Sequence, residues 1–474
     1  MKQPLLCVFM IFCASLVSHA QTTQPNIILI TMDDCNDYIE GLDGHPQIST
    51  PNIKYLMRKG ALFYNAYANS PKCAPSRVSF YTGKQPNYTN VYHNFDINCN
   101  LTLEQSMAFN GVETYYTIPM VLKDSSGYFT YSISKNMHCH NNLHGYDMDT
   151  EDECAKGASW NKVTVFDHAA EQIDVLNYAS TIDEGLPEYH FAAIPDSLET
   201  KLQDYLSTDS AISFIEQVAA DSSAFCNKPF FMAIGYRRPH GPFYIPEKYF
   251  LPAYDVQYDN PGYKINFDSL PFEPPTTGLF MPPQPDVKYA DYFALPENGV
   301  ARALIEVDAV YSGIGIKINS KIADGIFPQF QPGLSEAQRE ALFYDSYSAN
   351  MIMAYMASIQ FIDAQIGRLL ASLAENPDIL NNTIIIIFGD HGFSLGEKNH
   401  WKKGALWETD IRTPLLVVDF RNPVKRKSNA TVGLIDLFPT ILELTDTPEP
   451  LFPDGSSYLD GVSLVPLIDG TTGS

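Results

Sequence analysis

Short, nearly continuous apolar runs alternate along this chain with stretches of three- and four-residue apolar spacing. Residues 26–32, 229–235 and 383–388 are apolar runs of the kind a strand shows when both faces are buried. Residues 61–68, 128–134 and 414–419 read as further strands. Helical spacing covers 118–124, 201–220 and 436–444, and one long helix is expected over 335–374, with Pro377 just beyond it. Thr50-Pro51 reads as an N-cap followed by proline at the first helical position, and Gly60 as the stop. Strands alternating with helices predict an α/β fold: a large, mostly parallel or mixed central sheet with helices on both faces. Residues 139–200 are polar and irregular. Residues 245–335 are rich in proline, tyrosine and glycine and are expected to form an irregular insertion at the surface.

Composition narrows the class. The chain has 474 residues, 45% hydrophobic and 18% charged, enough for one large domain with a sizeable core. A formal net charge of −24 opposes nucleic acid as a partner. It also means that an anionic substrate needs a local basic pocket. Residues 1–20 read as a secretory signal peptide: Lys2, an apolar segment over 5–17, and Ser18-His19-Ala20 as the cleavage site. That apolar run falls short of the ~20 residues of a membrane span. Residues 21–474 are then the mature domain, in the secretory pathway, lysosomal or extracellular. Sequons at Asn87, Asn100, Asn381 and Asn429 agree with that route. Outside the signal the cysteines are Cys35, Cys73, Cys99, Cys139, Cys154 and Cys226, too few for a disulfide scaffold. Cys139 with Cys154 is the simplest local pair.

Candidate chemistry gathers where strands end. Cys73-Ala74-Pro75-Ser76-Arg77 suits a helix start, with proline in the first turn and Gly83 as the stop. A cysteine there faces unpaired N–H groups, which stabilise a thiolate or bind a tetrahedral anion. A buried structural cysteine or half a disulfide fits the spacing as well. Asp33-Asp34, Cys73, Lys135 with His138, His240, and Asp390-His391 each follow an expected strand. In a parallel sheet such ends share one edge, where active sites lie. Carboxylates brought together repel one another, and a cation relieves them. Asp33, Asp34 and Asp390 offer hard oxygens suited to Ca²⁺ or Mg²⁺. His391 is a less typical ligand for such an ion and could instead orient a neighbour.

These residues resemble motifs of the sulfatase family. Cys73–Arg77 is similar to its Cys-x-Pro-Ser-Arg signature, and Asp33-Asp34 to its N-terminal metal pair. Thr50-Pro51-Asn52-Ile53 is similar to the helix start that follows. Ser134-Lys135-Asn136-Met137-His138 resembles a Gly-Lys-x-x-His element, with serine in place of glycine. Gly389-Asp390-His391-Gly392-Phe393-Ser394-Leu395-Gly396-Glu397 resembles the second metal motif, and Trp401-Lys402-Lys403 a Trp-x-Lys element. The run 73–80, Gly235-Tyr236-Arg237-Arg238-Pro239-His240 and the Ile362–Leu370 stretch are most similar to the iduronate-2-sulfatase subfamily.

The resemblance implies an alkaline-phosphatase-like fold. It implies that Cys73 is oxidised by a formylglycine-generating enzyme to formylglycine, the catalytic nucleophile and a metal ligand. Arg77 would hold that nucleophile, Lys135 and Lys403 the sulfate, and His138 and His240 would move protons. His140 and His400 are near neighbours that could be mistaken for these histidines. The expected substrate is a sulfated sugar at a glycosaminoglycan end. The family's small C-terminal antiparallel sheet has no counterpart by residue 474, because residues 459–470 resemble the end of the first domain. An arylsulfatase or other carbohydrate sulfatase, a phosphoester or phosphonate hydrolase of the same superfamily, and a silent sulfated-glycan-binding protein are the competing readings.

Overall fold

The structure, a computed structural model, describes residues 24–97, 103–138, 159–166, 191–250, 349–397 and 400–471. Its strands are β1 (Asn26–Asp33), β2 (Ala61–Tyr67), β3 (Phe129–Ser134), β4 (Lys162–Thr164), β5 (Phe191–Ile194), β6 (Phe230–Pro239), β7 (Phe243–Pro246), β8 (Thr383–Gly389), β9 (Ser394–Leu395), β10 (Trp401–Lys402), β11 (Leu415–Asp419) and β12 (Arg426–Gly433). Eight of them form one sheet in the order β12-β2-β11-β8-β1-β6-β3-β4. All neighbours pair in parallel except β11, which is antiparallel to both β2 and β8. The expected α/β fold is therefore present.

β1 lies at the centre, and every residue in it is buried. Ile28, Ile30 and Met32 enter the core on one face, and Ile27 and Leu29 enter the core on the other. This double burial is why the strand reads as a continuous apolar run rather than an alternating one. Helices Pro51–Met57, Gln203–Ala220 and Ala349–Glu375 cover the first face. Helices Cys73–Thr82, Ile118–Ser126 and Leu437–Leu444 cover the second. The long helix is described from Ala349, so the first part of its expected span lies outside the described residues. Most of the expected 245–335 insertion does too, and residues 245–250 prove ordered, ending β7 and entering a 3₁₀ turn at Glu247–Tyr249.

β12 was missed because its sequence, RKSNATVG, is polar, with only Ser428 and Val432 buried. Parallel pairing with β2 at the sheet edge overrides its weak propensity. Cys226 is disulfide-bonded, while Cys35 and Cys73 are free and buried. The expected Cys139–Cys154 pair lies outside the described residues.

One cap differs from expectation. The Thr50 side chain makes no capping bond to the Pro51–Met57 helix. Its hydroxyl instead accepts from Glu40 N (3.1 Å). Asp363, from the long helix, accepts from Ile53 N (2.8 Å), Asn52 N (3.1 Å) and Asn52 Nδ2 (2.8 Å). A capping carboxylate thus joins two helices across more than three hundred positions of chain, where a local hydroxyl was expected. Burial raises the Asp363 carboxyl to about 6, against the lowering effect of these bonds. The folded chain therefore binds this proton more tightly than the unfolded chain does. That stabilisation is complete below the usual carboxyl value and is lost as pH rises through about 6. Asp363→Asn keeps an acceptor and has no proton to lose. Its stability relative to wild type, from urea unfolding, should improve between about pH 4 and about pH 7. A difference that does not change with pH would contradict this assignment.

Candidate functional site

Cys73 is the first residue of its helix, preceded by Lys72 in an extended N-cap and closed by Gly83 at a φ of 66°. Arg77 follows one turn later, so both side chains face the same way. Its guanidinium is fully buried. It donates from Nε to Asp390 Oδ2 (2.9 Å), from Nη2 to Asp33 Oδ1 (3.1 Å), and from Nη1 to the carbonyls of Lys135 and Asn136 (2.5 and 3.2 Å). Ser76 Oγ donates to Asp390 O (2.5 Å). The helix is thereby tied to the ends of β1, β3 and β8.

Successive side chains of a strand normally point to opposite faces. The register shift between Met32 and Asp33, with Asp34 at a φ of 64°, breaks that rule. Both carboxyls then reach one place. Tyr355 of the long helix holds the irregularity, donating to Asp34 O (2.6 Å) and accepting from Asn36 N (2.9 Å). Asp34 N donates to Asp390 Oδ1 (3.0 Å), joining β1 to β8 across 356 positions of sequence.

The lysines and histidines close around this centre. Lys135 Nζ pairs with Asp33 Oδ2, and Lys403 Nζ pairs with Asp34 Oδ1 and donates to Cys73 Sγ (3.1 Å). His391 Nδ1 donates to Gly392 O (2.9 Å), leaving Nε2 3.3 Å from Cys73 Sγ and 3.4 Å from Asp34 Oδ1. His240 Nδ1 donates to Gly241 O (2.7 Å), leaving Nε2 4.0 Å from Asp34 Oδ2. A backbone carbonyl at one ring nitrogen fixes the tautomer and frees the other. His138 Nδ1 is buried without a partner. Ser134, which stands where the resemblance puts glycine, has a left-handed φ of 60°, and Gln203 Nε2 donates to its hydroxyl (2.6 Å). A Cβ on Gly235 would collide with Lys135 O, so glycine lets β6 pass against the lysine.

Charge and burial pull these groups apart. Burial would raise Asp33, but Lys135, His240, Arg77 and Lys403 together hold it well below the usual carboxylate range. Burial and Asp33 raise Asp34 to about 7 despite Lys403 and His391. Burial and Asp33 push the Cys73 thiol up, and Lys403, Lys135 and His391 outweigh them and lower it. Burial lowers His391, and Asp390 and Cys73 carry it up to about 9. Burial, with the nearby lysines, drives His138 down to about 3 and holds His240 well below its ordinary value. Lys403 is raised by Asp34 and Cys73 against its burial.

Single ligand atoms of Asp33, Cys73, Asp390 and His391 lie within 4.8 Å of one another, as do those of Asp33, Asp34, Cys73 and His240. Hard oxygens with one imidazole suit Ca²⁺ or Mg²⁺. Asp34 is buried against Asp33 and raised to about 7 despite Lys403 and His391, and a cation would relieve this crowding of carboxylates. The positions singled out in the sequence thus meet at one sheet edge, with His138 close enough to feel Lys135, Lys403 and Asp33. Ser76 and Asn136 stand inside the quoted motifs, but their bonds, like those of Gln203 and Tyr355, reach other segments and leave no signal in local spacing. His400 stands apart, bonded to Asp410 at 3.0 Å, and His140 lies outside the described residues. Asn87, Asn381 and Asn429 are exposed; Asn100 lies outside the described residues. No helix among the described residues is long and apolar enough to cross a membrane.

A mostly parallel sheet with a carboxylate-rich centre at the carboxyl ends of its strands is the alkaline-phosphatase-like fold that the resemblance implies. The chain belongs to the sulfatase family, whose model ("Sulfatase") matches residues 25–447. It is 28% identical over 467 residues to iduronate 2-sulfatase of Homo sapiens, covering 97% of this chain and 71% of that protein. It is 26% identical over 433 residues to a sulfatase of Formosa agariphila, covering 90% and 70%. It is 24% identical over 477 residues to arylsulfatase K of Rattus norvegicus, covering 99% and 68%. Phosphonate monoester hydrolase of Agrobacterium radiobacter superposes with a TM-score of 0.60 at 18% identity, over 94% of this chain and 77% of that one. A protein solved with its substrate D-glucosamine-2-N,6-O-disulfate gives 0.57 at 21%, over 94% and 80%. At such identities these structures show the fold. The family is formylglycine-dependent with a bound metal, and its members hydrolyse sulfate esters, so the chain is a sulfuric ester hydrolase.

Arg77 neutralises Asp33 and Asp390 in full burial. Arg77→Met should destabilise the fold by about 3–5 kcal/mol, because it strands buried carboxylates. Urea unfolding reads this directly, and a cost under about 1 kcal/mol would contradict it.

Proposed function

We propose that this sulfatase is an exo-enzyme that removes 2-O-sulfate from iduronate-type ends of glycosaminoglycans. The observation that carries the chemistry is the placing of Cys73 Sγ at a buried helix start, within 3.1 Å of Lys403 and 3.3 Å of His391. Relatives named iduronate 2-sulfatase, at 27 and 28% identity across nearly the whole chain, support the choice of sugar. Residues 1–20 act as a signal peptide, and 21–474 form one catalytic domain carrying the 245–335 insertion. The protein follows the secretory pathway to the lysosome or the exterior and is glycosylated at Asn87, Asn100, Asn381 and Asn429.

Asp33, Asp34, Asp390, His391 and position 73 would hold Ca²⁺, or Mg²⁺ in its place. Such an ion would supply Lewis acidity to stabilise developing negative charge. A formylglycine-generating enzyme converts Cys73 during synthesis, and the hydrated aldehyde supplies a nucleophilic hydroxyl and a second one that lets sulfate leave. Arg77 fixes the orientation of position 73 through Asp33 and Asp390. Lys135 and Lys403 grip the sulfate oxygens as charge-assisted donors. His240 presents Nε2 to the leaving alcohol. Its depressed basicity comes from burial and then the two lysines, and a sulfate between those lysines offsets their part and favours protonation. His138, unpartnered at Nδ1 and neutral, accepts the proton that frees sulfate.

The test is sulfate release from a panel of defined sulfated disaccharides, with aryl sulfate and aryl phosphate alongside. A 2-O-sulfated iduronate end should turn over fastest, chelation should abolish turnover, and Ca²⁺ should restore it. Preference for another sulfated sugar would sink the substrate assignment. Dominant phosphate turnover would favour the phosphoester reading, and metal-loaded, modified protein without any turnover would favour a silent binding role.

A further inference from the structure

Lys403 must hold its place beside Cys73 although its neighbour Lys402 takes a left-handed backbone. Lys402 has a φ of 79° and Gly404 a φ of 110°, so the lysine sits between two left-handed residues. The antiparallel pair β9–β10 ends at Lys402 and does not include it. What secures the loop is the buried carboxyl of Asp410. Its Oδ2 accepts from His400 Nε2 (3.0 Å) and from Ala405 N (2.8 Å). Its Oδ1 accepts from Ser394 Oγ, whose hydroxyl also meets Thr409 Oγ1 (2.6 Å). His400 Nδ1 is buried and unpartnered, so Nε2 is the nitrogen that carries the proton.

One carboxyl oxygen therefore holds the chain on both sides of Lys403, and the other holds the neighbouring strand. Asp410 is itself fixed: its N donates to Trp407 O (2.9 Å), and its carbonyl accepts from Gly392 N (2.8 Å). A Cβ on Gly392 would collide with Thr409 O, so the segment after His391 also rests against this turn. We propose that Asp410, with His400 as its partner, is a positioning residue that sets the Lys403 ammonium over position 73. Its carboxyl touches neither the metal-ligand candidates nor the sulfur, and it reaches position 73 through the Lys403 loop. This rests on Lys403 gripping sulfate, as in the proposed function. A catalytic group misplaced by about 1 Å costs about 100-fold in rate.

A double-mutant cycle on the full-length, formylglycine-bearing protein, with aryl sulfate as substrate, reads the coupling. Asp410→Ala should lower kcat/KM about 100-fold in wild type and less than about threefold in a Lys403→Ala background. Asp410→Asn should recover most of the loss, because its oxygen still accepts from His400 and Ala405 while the Ser394 hydroxyl turns to accept from the amide. If Asp410→Ala fails to show a cooperative melt, the cycle is run with His400→Ala. That change removes one donor and should cost about 10-fold in wild type but less than about twofold beside Lys403→Ala. Equal losses in both backgrounds would overturn the proposal and leave the sulfatase reading intact. Lys403→Ala as active as wild type would defeat the role of Lys403 and this proposal with it.

Discussion

Three carboxyls buried at the ends of two neighbouring strands are the constraint from which the rest of this structure follows. Asp33, Asp34 and Asp390 are all inaccessible to water, and isolated charges there cost several kcal/mol each. Arg77 answers for two of them, Lys135 shares Asp33, and Lys403 takes Asp34. Each of those cations arrives on a different segment. Folding therefore cannot complete the centre until β1, β3, β8, the Cys73 helix and the Lys403 loop are all in place. The same arrangement leaves Cys73 among positive groups, which is what a nucleophile for an anionic ester requires.

The sheet makes this convergence possible. β1, β3, β6 and β8 run parallel, so their carboxyl ends open on one edge. Two departures from regular geometry aim the side chains: the irregularity at Met32–Asp33 and the left-handed backbone at Asp34 and Ser134. Each is held from outside its own strand, by Tyr355 and by Gln203. Helices on the first face thus serve as braces for the site as well as cover for the core.

The fold was largely legible in the sequence because its central strands are buried on both faces. Runs such as Ile384–Ile387 admit few other readings. The strand ends were legible for the same reason: an abrupt change from apolar residues to Asp33-Asp34 or Asp390-His391 marks where a buried strand meets its edge. β12 was not legible, since an edge strand with polar residues looks like a loop. Asp363 and Asp410 were not legible either. Each is a single carboxyl whose partners lie in backbone N–H groups or on another segment, and such bonds leave no mark on composition or spacing. The capping role given to Thr50 shows the same limit, because a local rule named the nearest oxygen and the fold used a distant one.

The most direct test of the account is mass spectrometry of the peptide spanning residue 73, taken from protein that is turning over sulfate ester. The formylglycine dependence of the sulfatase family, carried to the Cys73–Arg77 signature, predicts an aldehyde at position 73, with the sulfur gone. An unmodified thiol that still takes an alkylating agent, in a preparation with full turnover, would contradict it.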